Sequence, residues 1–86
     1  MIIDRKIVTI IGLGLIGVSI LKAFNYYLRN KFYIKIYDNY SEHLKIVKSF
    51  NIADEICNSV EESVKEADLV ILAIPVGVMA EVAKLI

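Results

Sequence analysis

Three glycines, Gly12, Gly14 and Gly17, stand at G-x-G-x-x-G spacing between an apolar run and a stretch with helical periodicity. That spacing can bind the pyrophosphate of a dinucleotide, and each glycine has a separate task. Gly12 permits a tight turn off a strand, and Gly14 lets the backbone approach the phosphates. Gly17 lets the following helix pack closely on its sheet. Amide N–H groups near Leu13, Leu15 and Ile16, at the positive end of a helix, would offset the phosphate charge without any Lys or Arg in the loop. The bland alternative is a glycine-rich strand-to-helix turn that holds no ligand. The spacing alone is a weak signal, and its flanking elements give it weight.

Asp38 lies 26 positions after Gly12, at the end of a second β-rich run. A carboxylate there can accept hydrogen bonds from the adenosine ribose hydroxyls and repel a 2′-phosphate, which favours NAD over NADP. Taken alone, an Asp in this place would serve as a turn or cap residue. Asn39 follows, where an Arg would have accommodated NADP. A third group, Ala73-Ile74-Pro75-Val76, ends the last apolar run, and strand C-termini border the ligand crevice in doubly wound sheets. Ala73 and Ile74 are expected against the cofactor, while Pro75 equally suits simple strand termination.

The remaining reactive side chains carry less. His43 is the single histidine, and its place among Glu42 and Lys45 suggests an exposed helix residue rather than a catalytic base. Cys57, the single cysteine, excludes an internal disulfide and reads as a small half-buried hydrophobe in a reducing, cytoplasmic setting. Tyr26 and Tyr27 read as packing residues. No His, Cys and carboxylate cluster has metal-ligand spacing.

The elements that must position these groups alternate along the chain. Lys6–Ile11 is a buried-strand pattern. Ile16, Ile20, Ala23, Phe24, Tyr27 and Leu28 form the stripe of a helix to about Arg29. Phe32–Tyr37 is the second strand. Leu44, Val47 and Phe50 mark a second helix, capped by Asn39 or Ser41. A weak third strand falls within Ile52–Cys57. Ser59 and Glu62 form an S-x-x-E capping box for a brief helix through Glu66. Leu69–Ile74 is expected to be the most buried strand, stopped by Pro75, with a last helix over Val78–Ile86. The β-α-β-α-β-α-β-α order predicts an α/β fold: a Rossmann-type parallel sheet of order 3-2-1-4 with helical crossovers. Residues 1–86 read as a single, partial dinucleotide-binding domain, because more strands would be expected to follow.

Composition agrees with elements buried on both faces: 57% of the 86 residues are hydrophobic. Ten basic and ten acidic residues balance to zero net charge, so no basic block supports nucleic-acid binding. The uncharged run Ile7–Leu21 after Arg5 and Lys6 imitates a secretory signal. It is shorter than the roughly 20 residues of a spanning helix, carries three glycines and precedes no small-x-small cleavage site. No membrane association is expected.

On these residues the chain resembles the amino-terminal part of the prephenate/arogenate dehydrogenase family. The matching stretches are Val8–Gly17, Ile36-Tyr37-Asp38, Glu42-His43-Leu44-Lys45, Ala53-Asp54-Glu55 and Glu66 through Val76. Val18 departs from the family, which has a second glycine there. The resemblance implies oxidative decarboxylation of prephenate or arogenate in tyrosine biosynthesis, with hydride passing to NAD or NADP. It also implies that the family's catalytic histidine, remaining strands and helical dimerisation domain lie beyond this segment. The chain is thus expected to bind NAD without catalysing the reaction alone. Alternatives are one half of a split dehydrogenase, or a non-catalytic module that self-associates through the exposed sheet edge or the C-terminal helix.

Overall fold

The computed structural model describes residues 5–86. Four strands, β1 (Lys6–Ile11), β2 (Phe32–Tyr37), β3 (Glu55–Ile56) and β4 (Leu69–Leu72), form one sheet of order β3-β2-β1-β4. Every pairing is parallel, with Val8 opposite both Ile34 and Leu69. This is the expected topology. Between the strands run α1 (Leu15–Leu28), α2 (Ser41–Phe50) and α3 (Val60–Val64), and α4 (Val76–Ala83) follows β4.

Strand alternation sends successive side chains to opposite faces. On one face Val8, Ile10, Ile34 and Ile36 join Leu13, Leu21 and Val47 in a fully buried core, with Phe24, Leu44 and Ile71 packed around it. On the other, the Thr9 hydroxyl donates to the Ser63 carbonyl at 2.5 Å and the Lys35 ammonium donates to the Lys65 carbonyl at 3.0 Å. Thr9 thus bonds to α3 and Lys35 to its C-cap residue, and such hydrogen bonds are the condition for burying polar side chains.

Two aspartates join the strands near the end remote from the glycines. The Asp54 carboxylate accepts the Ile34 N–H at 2.7 Å and the Arg29 guanidinium at 3.1 Å. The Asp68 carboxylate accepts the Ile7 N–H at 2.7 Å, while the Asp68 N–H donates to the Ile7 carbonyl.

The buried face of α1 differs from the expected stripe. Gly17 and Leu21 are buried, with Phe24 and Leu28 partly so, whereas Ile16, Ala23 and Tyr27 face outward. Gly17 sets this rotation. A Cβ on it would fall inside the van der Waals radius of the Gly12 carbonyl, so this side of the helix must lie against the strand. Tyr26 and Tyr27, expected to pack, are 78% and 76% exposed and stack edge to face on each other. Val18 is accommodated half-buried against the core.

Other boundaries shift for local reasons. The α2 N-cap is Tyr40, without a side-chain cap, rather than Asn39 or Ser41. The capping box of α3 forms, with the Glu62 N–H donating to Ser59 Oγ at 3.0 Å. The Glu62 carboxylate reaches the Asn58 N–H, and the helix stops at Val64 instead of Glu66, which takes a φ of 63°.

The largest correction concerns β4. It ends at Leu72, and none of its residues is buried. Its side chains are as apolar as expected, but it lies at the end of the strand order, where among the described residues it pairs with β1 alone. Pro75 does end this segment, as the N-cap of a helix that begins at Val76 rather than Val78.

Candidate functional site

β1 lies between β2 and β4, so the chain changes direction of winding at its C-terminal end, where open α/β sheets bind ligands. The glycine turn leaves β1 at this point. Gly12 has a φ of 100°, a left-handed conformation that L side chains rarely adopt. A Cβ there would lie 2.6 Å from the Ile74 side chain and clash with the Ala73 carbonyl. Gly12 and Gly17 are therefore required by the protein's own packing.

Gly14 differs from both. A Cβ on it would meet nothing within 4 Å, and its φ of −70° is ordinary. It is the N-cap of α1, where no side chain supplies a cap and no acidic residue stands in the first turn. The leading amides of α1 thus lack the side-chain acceptors found at α3, and the helix dipole adds positive potential there. Leu15 and Ile16 are 88% and 69% exposed beside this opening, whereas Leu13 is buried in the core.

Asp38 leaves β2 beside the turn and is 8% exposed. Its Oδ2 accepts the Leu13 N–H at 2.6 Å and lies 2.9 Å from His43 Nδ1; its Oδ1 accepts the Tyr40 N–H at 2.8 Å. The carboxylate thus ties the glycine turn to the start of α2. An ionised carboxylate only accepts, so His43 Nδ1 carries the proton of that contact. His43, expected to be an exposed helix residue, is instead about one-third exposed and in contact with Asp38. The Tyr40 ring stacks edge to face on it. One lone-pair position remains on Oδ1, since each carboxylate oxygen has about two.

These elements enclose a cleft of about 420 Å³, lined by Ile11, Gly12, Tyr37, Asp38, Asn39, Val60, Ile74 and Pro75. Its volume lies in the range of small-molecule and cofactor sites. Of the residues singled out in the sequence, Gly12, Asp38, Asn39, Ile74 and Pro75 line this cleft, Ala73 backs Gly12, and Leu13 through Gly17 are not among its lining residues. The sequence reading missed the opposite wall, formed by Val78, Glu81, Val82 and Leu85 of the final segment. Their i, i+3, i+4, i+7 spacing was the available signal.

Cys57 is buried rather than half-buried, 1% exposed. Burial pushes its thiol up to about 11, with the Glu55 carboxylate adding to the effect, so it has no nucleophilic character at neutral pH. No group of His, Cys and carboxylates suited to a metal occurs among the described residues, and no helix there is long and apolar enough to cross a membrane.

A parallel 3-2-1-4 sheet with a glycine turn at its switch point and an acid ending the second strand defines a Rossmann-type dinucleotide-binding unit. The sequence profile of the prephenate dehydrogenase nucleotide-binding domain matches residues 24–86. The chain belongs to that family.

A cyclohexadienyl dehydrogenase from Zymomonas mobilis is 36% identical over 78 residues, covering 91% of this chain and 26% of that protein. Prephenate dehydrogenase from A. aeolicus, solved with hydroxyphenyl propionate and NAD+, superposes with a TM-score of 0.80 at 30% identity. That match covers 93% of this chain and 28% of the other. An imine reductase from Bacillus cereus shares the fold at a TM-score of 0.75 and 25% identity, over 93% of this chain and 27% of its own. The chain spans about a quarter of the length of these relatives.

Proposed function

We propose that this chain binds a nicotinamide dinucleotide, with the pyrophosphate over Gly12-Leu13-Gly14-Leu15-Ile16-Gly17 and the adenosine ribose at Asp38 and Asn39. Ala73, Ile74 and Pro75 border the cofactor on the β4 side. The observation that carries this reading is Gly14. Unlike Gly12 and Gly17, it has no packing reason to lack a side chain, and it stands at an uncapped helix start. A phosphate brought against that backbone gives the missing side chain its purpose.

The cofactor is NAD rather than NADP. Asp38 offers negative charge where a 2′-phosphate would lie, and no Lys or Arg among the described residues lines the cleft to offset it. In the full-length family context the chain supplies the hydride-accepting cofactor for oxidative decarboxylation of prephenate or arogenate. Calorimetric titration of the purified chain with NADH tests the binding. Saturable binding that is weakened by Gly14→Val supports it, and no heat at millimolar NADH overturns it.

A second reading concerns assembly. Among the described residues β4 pairs with β1 alone, and Leu69 is 42% exposed. Unpaired apolar edges recruit further strands, so we infer that the isolated chain self-associates along β4. Sedimentation equilibrium at tens of micromolar tests this, and a monomer overturns it.

A further inference from the structure

α4 and the residues after it turn Val78, Glu81, Val82 and Leu85 toward the cleft that holds Gly12 and Asp38. Three of the four are apolar. No residue of α4 is buried, and Val78 and Leu85 remain 38% and 46% exposed. An apolar helix face left open over a cofactor-sized cleft suits a flat heteroaromatic ring, which buries apolar area on both of its faces.

Glu81 interrupts that apolar stripe with a carboxylate. It is exposed, has no hydrogen-bond or ion-pair partner among the described residues, and no cationic side chain among them lines the cleft with it. An ionised carboxylate only accepts hydrogen bonds, so its complement is a group that donates. Asp38, the other acid of the cleft, is engaged by Leu13, Tyr40 and His43, and in the reading above its remaining Oδ1 position serves the ribose. Adenine is a flat ring with one exocyclic amine that donates two hydrogens.

We propose that Glu81 recognises the 6-amino group of the cofactor's adenine ring and thereby selects the base. The proposal rests on the dinucleotide reading above. It makes the α4 wall a base-specific surface rather than a greasy slot.

The test compares NADH with its purine analogue, in which hydrogen replaces the 6-amino group, by calorimetry on the wild-type chain and on Glu81→Ala. The analogue is no larger than NADH, so steric exclusion plays no part. The wild-type chain is expected to bind NADH roughly tenfold more tightly than the analogue, the scale of one charge-assisted hydrogen bond. In Glu81→Ala the ratio should collapse to about one, because a deletion on either side removes the same bond. Equal affinity of the wild-type chain for both dinucleotides overturns the proposal, as does a tenfold ratio that survives in Glu81→Ala. Failure of the wild-type chain to bind either dinucleotide overturns the dinucleotide reading, and this one with it.

Discussion

Gly17 presses its α-carbon against the carbonyl of Gly12, so closely that one added methyl group would overlap that oxygen. This contact fixes how α1 is rotated and how the turn between the two glycines is shaped. It also separates the three glycines by experiment. Gly17→Ala should cost about 1–3 kcal/mol or more, by analogy with overpacked cores, read as a lower midpoint in urea. Gly14→Ala should leave that midpoint within about 1 kcal/mol and lower NADH affinity instead. Equal stability loss in the two variants would refute the assignment.

Asp38 has a structural task besides its proposed role at the ribose. Asp38→Asn replaces one accepting oxygen by an NH2 group that must face a backbone N–H of Leu13 or Tyr40. The ligand-free variant should lose about 1–3 kcal/mol, the cost of an unsatisfied buried donor. Asp38→Ser should weaken NADH binding and narrow the preference over NADPH. Thermal unfolding without cofactor and paired titrations with both dinucleotides check the two effects separately.

Cys57 gives the fold an alkaline limit. Its thiol is raised from 9.0 to about 11 by burial first and by Glu55 second. The folded state therefore holds this proton more tightly than the unfolded state. The associated stability is complete below about pH 9 and is lost as pH rises through about 11, a loss on the order of 2–3 kcal/mol. Burial, and next the hydrogen bond to Glu55, likewise raises the Tyr33 phenol above its ordinary 10.0, which acts in the same direction once pH passes about 10. Urea midpoints measured from pH 7 to 11 should fall, and Cys57→Ala should flatten the slope between pH 9 and 11.

Leu69 marks the open edge of β4, and Leu69→Lys places a charge on it. Edge charges oppose strand addition, so the variant should shift the chain toward monomer in sedimentation at concentrations where the wild-type chain associates. Association unaffected by the charge would move the contact away from this edge.

The sequence by itself determined the order and kind of the elements, because hydrophobic period and glycine spacing are local properties. β1 and β2 fall on the expected residues, Lys6–Ile11 and Phe32–Tyr37, and Ser59 caps the helix its pattern announces. The turn at Gly12 through Gly17 and the acid at Asp38 were legible for the same reason. Tertiary structure decided what depends on neighbours distant in the chain. β4 is apolar enough for a sheet centre, yet its position beside β1 alone leaves it half-open. The stripe of α1 was ambiguous because both of its sides are apolar, and only the contact of Gly17 with Gly12 selected the inner one. His43 lies five residues from Asp38, but its ring meets the carboxylate because α2 starts directly beside the glycine turn. Glu81 lines the cleft for the same kind of reason, through a helix whose start is set where Pro75 ends the β4 segment.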